Sequence, residues 1–158
     1  MPSRNPTYHE QRETSYTLQL RQLLTELPPY ARDYFRAAEQ KTSAKTRVSY
    51  AYDLLVFFRF LIEKNPELSS KGINGITLGD IDLLTSGDIE EYQEYLKYYE
   101  AENGEQKNGA PSIARKMSSL RSFLDYFYKK EMLTKNVAMQ VDMPKLHEKA
   151  IKSEAKRS

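Results

Sequence analysis

An all-α fold, a compact bundle of four to five main helices with an extra helix at the N-terminus, is what this sequence predicts. Three observations carry that expectation. Apolar residues recur at three- and four-residue intervals over long stretches. Proline, glycine and asparagine breakers separate those stretches. Almost nothing alternates with the period of two that a half-buried strand needs. The chain has 158 residues, 39% of them hydrophobic, enough for one core and a tail.

The first expected helix runs from Thr14 to Leu27, with Leu20, Leu23, Leu24 and Leu27 inward, and ends at Pro28-Pro29. Tyr30 to Gln40 gives a short second helix with Tyr34, Phe35 and Ala38 for packing; the prolines suit its first turn. Thr42 or Ser43 then caps a long helix that reaches about Lys64, where Asn65-Pro66 stops it. Val48, Ala51, Leu55, Phe58 and Ile62 form its main stripe, widened late by Leu54, Phe57, Phe60 and Leu61. Residues 66–84 read as a connection with one short helical turn at Leu78 to Leu83.

Ser86 is the expected N-cap of an acidic helix spanning about Gly87 to Asn103, because Asp88, Glu90 and Glu91 suit the positive end of its dipole. Ile89, Tyr92, Tyr95, Leu96 and Tyr99 supply its packing face. Gly104 to Pro111 follows as a flexible loop, and Ser112 to Lys130 as another long helix. Ile113, Met117, Leu120, Leu124 and Phe127 fall on one side of it. Leu133 to Met143 forms a turn and short helix before Pro144.

Composition excludes several functions. There is no cysteine, and His9 and His147 lie near opposite ends, so neither a disulfide nor a metal site is expected. The chain contains no Gly-rich phosphate loop and no G-x-S-x-G elbow. The paired Glu90 and Glu91 suit a solvated face better than acid-base work. Catalytic residues, cofactor and metal are all expected to be absent, and an independent hydrolase lacks its constellation. No apolar run approaches a membrane span and the N-terminus lacks a signal-peptide core, so the expected location is cytoplasmic, with no membrane partner.

The net charge of +2 conceals an uneven distribution. Residues 76–106 carry 1 basic and 9 acidic side chains, whereas residues 107–141 carry 7 basic and 2 acidic ones. A polyanion meets the local field, and the acidic block must face away from it. Two helix starts combine hydroxyls with cations: Ser43, Lys45, Thr46, Arg47 and Tyr50 in the first, and Ser112, Arg115, Lys116, Ser119 and Arg121 in the second. Small hydroxyls keep a helix face low, so main chain and cations both approach a phosphate backbone, and the N-terminal dipole favours the same anion. Arg115 and Lys116 are the candidates for a guanine edge. Five cations on phosphates give a salt slope of about −4 to −5. The alternative is a helical protein-protein interaction module that uses the acidic helix and the N-terminal helix as contact surfaces.

The segment K-T-R-V-S-Y-A-Y-D-L-L-V-F-F-R-F-L, from Lys45 to Leu61, resembles the T-x-x-x-Y-x-x-D-L-x-x-F-x-x-F-L signature of tyrosine recombinases, matching at Thr46, Tyr50, Asp53, Leu54, Phe57, Phe60 and Leu61. S-I-A-R-K-M-S-S-L-R-S-F-L-D-Y-F, from Ser112, resembles that family's T-I-x-R-x-L-S-A-L-R-S-F-x-x-Y. L-T-K-N-V-A, Leu133 to Ala138, resembles its I-x-x-N-P-A, with Val137 in place of the proline, and Pro144-Lys145 follows. The resemblance covers about residues 28–146 and is nearest to Xer-like recombinases of the single-recombinase type.

The resemblance implies an N-terminal core-binding, SAM-like domain over residues 14–144, preceded by a flexible N-terminus (1–13) and followed by the start of an interdomain linker (145–158). It implies double-stranded DNA as a partner, together with the C-terminal catalytic domain of the same protein and other recombinase protomers on paired sites. The function it implies is a grip on one face of a recombination site during DNA integration or chromosome-dimer resolution. The catalytic groups belong to the second domain, so none of the 12 tyrosines is assigned as nucleophile and the chain is not expected to be an enzyme by itself.

Overall fold

The computed structural model describes residues 5, 7–101 and 104–145. Its architecture is all-α apart from one two-stranded hairpin, and it divides into two compact units, one up to Leu78 and one from Gly79 onward. The residues of the expected flexible N-terminus and linker numbered 1–4, 6 and 146–158 lie outside the described set.

In the first unit, α1 (Tyr8–Leu24) begins six residues earlier than the apolar pattern implies. Thr7 caps it, its hydroxyl accepting the Glu10 amide at 3.1 Å. That bond satisfies one of the amides a helix start leaves over, so the early turns form without apolar side chains. Helix α2 (Ala31–Ala38) buries Ala31, Tyr34, Phe35 and Ala38. Helix α3 (Ala44–Lys64) packs against α1 and has the expected limits. The Ser43 hydroxyl accepts the Thr46 amide at its start. At its end Asn65 turns the chain and caps α4 (Pro66–Ser69) through the Glu67 and Leu68 amides. Leu54, Leu55, Phe57, Phe58, Phe60 and Leu61 are all buried, so this end of α3 is enclosed on several sides. A 3-10 turn, Ile73–Gly75, follows, and the Tyr30 hydroxyl donates to the Ile76 carbonyl at 2.8 Å.

Helix α5 (Leu78–Asp82) starts at the last residue of the first unit, and α6 (Ser86–Lys97) follows in the second. The cap of α6 is Thr85, one residue before the expected Ser86. Its hydroxyl accepts the Asp88 amide while the Asp88 carboxylate accepts the Thr85 amide at 2.8 Å. Neighbouring Ser86 cannot form this reciprocal box, which needs an acidic partner three residues on. Helix α6 stops at Lys97, six residues short of expectation. The chain then forms an antiparallel hairpin, β1 (Tyr98–Ala101) with β2 (Gly104–Lys107), in the register Tyr98 to Lys107 and Tyr99 to Gln106. Tyr99 stays buried by this route, its ring stacked on Tyr95 with centroids 5.1 Å apart. The segment expected to be a flexible loop therefore supplies a strand.

Helix α7 (Ala110–Lys129) starts with Pro111 in its first turn and ends with Glu131 in the left-handed region, φ 60°. The Met132 amide reaches the Phe127 carbonyl and the Glu131 amide the Tyr128 carbonyl, which satisfies two terminal acceptors. A side chain at that φ is strained and glycine is not. We expect Glu131→Gly to stabilise the protein by about 0.5–1 kcal/mol; urea unfolding checks it, and a destabilised variant contradicts it. A 3-10 turn, Val137–Gln140, is the last element among the described residues.

Candidate nucleic-acid interface

The two helix starts singled out by sequence lie in different units, at the beginnings of α3 and α7. At α3, Lys45 and Ser43 are exposed and Thr46 and Tyr50 half-buried. The Ser43 and Thr46 hydroxyls are 3.0 Å apart, so each is occupied by the cap as well as open to solvent. Arg47 differs: it is buried and donates to the carbonyls of Glu39, at 3.3 Å, and Thr42, and to the Thr42 hydroxyl. Those acceptors lie in the loop that follows α2. A cation there complements the negative end of that helix, so Arg47 holds the α2–α3 turn shut.

At α7 the open face is rotated from the one expected. Arg115, Ser118 and Ser122 are exposed, at spacings that form one stripe, whereas Ser119 is 2% and Lys116 7% exposed. Phe123 is the cause. It is fully buried, and Lys116, Leu120, Phe123 and Phe127 follow one another at i, i+4, i+7 and i+11, which puts Lys116 above the core face. Ser119 sits one turn before Phe123 and donates back to the Arg115 carbonyl at 3.2 Å. Ser112 is half-buried and donates to the Asn108 side chain at 2.7 Å, which in turn donates to the Leu96 carbonyl at 2.8 Å. That chain of bonds fixes the start of α7 to the end of α6.

Arg121 is also committed within the fold. Its Nε donates to the Ala138 carbonyl at 3.1 Å and its Nη2 to the Val141 carbonyl. Asn136 returns the contact, donating to the Arg121 carbonyl at 3.0 Å. Asp82 anchors the same turn from the other side, accepting the Thr134 amide at 3.0 Å and its hydroxyl at 2.9 Å. Of the five cations named from sequence, Lys45 and Arg115 are exposed, while Arg47, Lys116 and Arg121 are drawn into the fold. Ser118, which sequence reasoning passed over, joins the open stripe; the apolar arc read with Phe123 included would have identified it.

Among the described residues no group of His, Cys, Asp and Glu is arranged to hold a metal ion, and no helix is long and apolar enough to cross a membrane. An all-α fold with two hydroxyl-and-cation helix starts defines the class. The chain belongs to the phage integrase N-terminal SAM-like domain family, whose match spans residues 32–131. It is Xer-like within that class: it is 36% identical over 118 residues to a tyrosine recombinase XerC of Caldanaerobacter subterraneus subsp. tengcongensis. That alignment covers 72% of this chain and 32% of the relative, so the chain spans about a third of the length of the protein it matches. No solved structure matches it.

Proposed function

We propose that this domain binds duplex DNA, through the starts of α3 and α7, as the non-catalytic grip of a site-specific tyrosine recombinase acting in the cytoplasm. The observation that carries the reading is the stripe of α7 on which Arg115, Ser118 and Ser122 are all exposed at helical spacing. Serine hydroxyls and a guanidinium on a low face suit phosphate and sugar contact, and Arg115 is long enough for a guanine edge. Lys45, Thr46, Tyr50 and the Ser43 cap supply the corresponding set on α3. Arg47 and Arg121 act indirectly, by holding the turns that carry these faces. The partners in this reading are duplex DNA, a catalytic domain of the same protein and further protomers on paired sites. The outcome is integration of a mobile element or resolution of a chromosome dimer.

Salt dependence tests it. In anisotropy titrations with duplex DNA, Arg115→Ala and Lys45→Ala each make the plot of log affinity against log salt shallower by about 1, one released counterion apiece. A flat response in the unsubstituted protein overturns DNA binding, and unchanged slopes in both variants overturn the assigned faces. The alternative, an interaction module working through α6, draws on Glu90, Glu91 and Glu94, which are exposed and would repel a polyanion. Under it, glutamine at those three positions abolishes activity while Arg115→Ala is silent.

A further inference from the structure

A cavity of about 550 Å³ opens in the first unit where α1, α2 and the start of α3 meet. Its lining includes Leu20 and Phe35, both buried, half-buried Leu24, and Arg21, Arg32 and Arg36, all exposed, with Glu39 as the one carboxylate. Four guanidinium groups reach this lining when Arg47 is counted, against that single acid. Arg47 is occupied by loop carbonyls and Arg36 by Asp33 at 3.5 Å, a wet pair worth little. Arg21 and Arg32 have no carboxylate partner among the described residues. The α1 side of the cavity lies outside the residues that the family match spans.

We propose that this cleft is a docking site for an acidic peptide segment of a partner protein, with carboxylates on Arg21 and Arg32 and an apolar side chain against Leu24. Guanidinium forks take carboxylates in two parallel hydrogen bonds, which gives direction as well as attraction. The apolar base decides between anions. A phosphodiester gains nothing from an apolar floor, whereas an acidic-apolar peptide takes the open part of Leu24 out of water. Size agrees, because the volume lies in the range of about 300–1,000 Å³ that takes a compact ligand.

The test uses the whole chain and a short fluorescein-labelled peptide of alternating glutamate and leucine, beside its glutamine-for-glutamate version. Saturable binding of the glutamate peptide alone is expected, weakened by salt and about tenfold weaker in the Arg21→Gln/Arg32→Gln variant. Both arginines are exposed, so that variant keeps its fold; a melting curve confirms it, and Lys64→Gln serves as an exposed-charge control that leaves binding unchanged. Failure of the peptide to bind, or equal binding to the double variant, overturns the proposal. So does a matching loss of duplex DNA affinity in the double variant, which would give the arginines to DNA. Self-association of the chain that disappears with the two arginines would give the cleft to a second copy and overturns it too. Loss of peptide binding with DNA affinity intact sustains it. The peptide measurement stands whether or not the domain binds DNA.

Discussion

Replacing Phe123 by alanine is expected to lower the unfolding free energy by about 3–5 kcal/mol, the range for emptying a large aromatic site that cannot collapse. Phe123 is fully buried, and its ring meets Phe127 edge to face with centroids 5.1 Å apart. That geometry adds to the loss beyond burial alone. The neighbouring Ser118→Ala provides the contrast, because an exposed hydroxyl on the open stripe should cost within about 0.5 kcal/mol. Urea unfolding of the two variants beside the parent measures both. The pair also tests which face of α7 points inward. If Phe123→Ala cost under about 1 kcal/mol, the buried arc would have to be drawn elsewhere, and with it the positions of Lys116 and Ser119.

Much of α3 could be read directly from sequence. A serine before a polar turn, an apolar stripe and Asn65-Pro66 are local signals, and each element they imply forms where they stand. The N-terminal extension of α1 was hidden because Thr7, His9 and Glu10 offer a cap but no stripe, and periodicity alone does not see caps. The hairpin was hidden for a related reason. Tyr98 to Lys107 is rich in charge and lacks alternation, so the helical pattern of Tyr95 and Tyr99 appeared to continue. Gly104, which takes a positive φ of 110° at the first residue of β2, is the local cue against it. At the candidate interface, hydroxyls and cations could be counted but not aimed. The acceptors of Arg121 are carbonyls 17 and 20 residues along the chain, and no local pattern announces them.

The matching motif positions also divide by physical role. Asp53, Leu54, Phe57, Phe60 and Leu61 are buried, and Arg121 and Asn136 bind main-chain carbonyls. These build the fold. Of the quoted positions, Thr46 and Tyr50 on α3, and Ser112, Arg115, Ser118 and Ser122 on α7, reach solvent instead. Membership of the family therefore rests largely on residues that make the scaffold. Under the proposed function, the choice of DNA sequence falls to few side chains and to shape, which a protein senses without touching bases.

Arg121→Ala gives the sharpest separation of these roles. The substitution strips charged donors from the Ala138 and Val141 carbonyls and loosens the turn that Asn136 and Thr134 also hold. Hydrogen bonds to a charged group contribute about 1.5–3 kcal/mol apiece, and acceptors left dry cost more, so a loss of about 2–4 kcal/mol is expected. Arg115→Ala, on an exposed position one to two turns earlier, should cost no more than about 0.5 kcal/mol. The DNA measurement should run the other way. At a temperature where both variants remain folded, Arg121→Ala keeps the parent's salt slope, because its guanidinium never released a counterion, while Arg115→Ala loses about one unit of it. Arg121→Lys separates charge from geometry: a single ammonium cannot serve two carbonyls as the planar fork does, so most of the stability stays lost. If Arg121→Ala melts like the parent yet binds DNA with a shallower slope, the side chain faces phosphate after all. Its place as the clasp between α7 and the closing turn would then have to be given up.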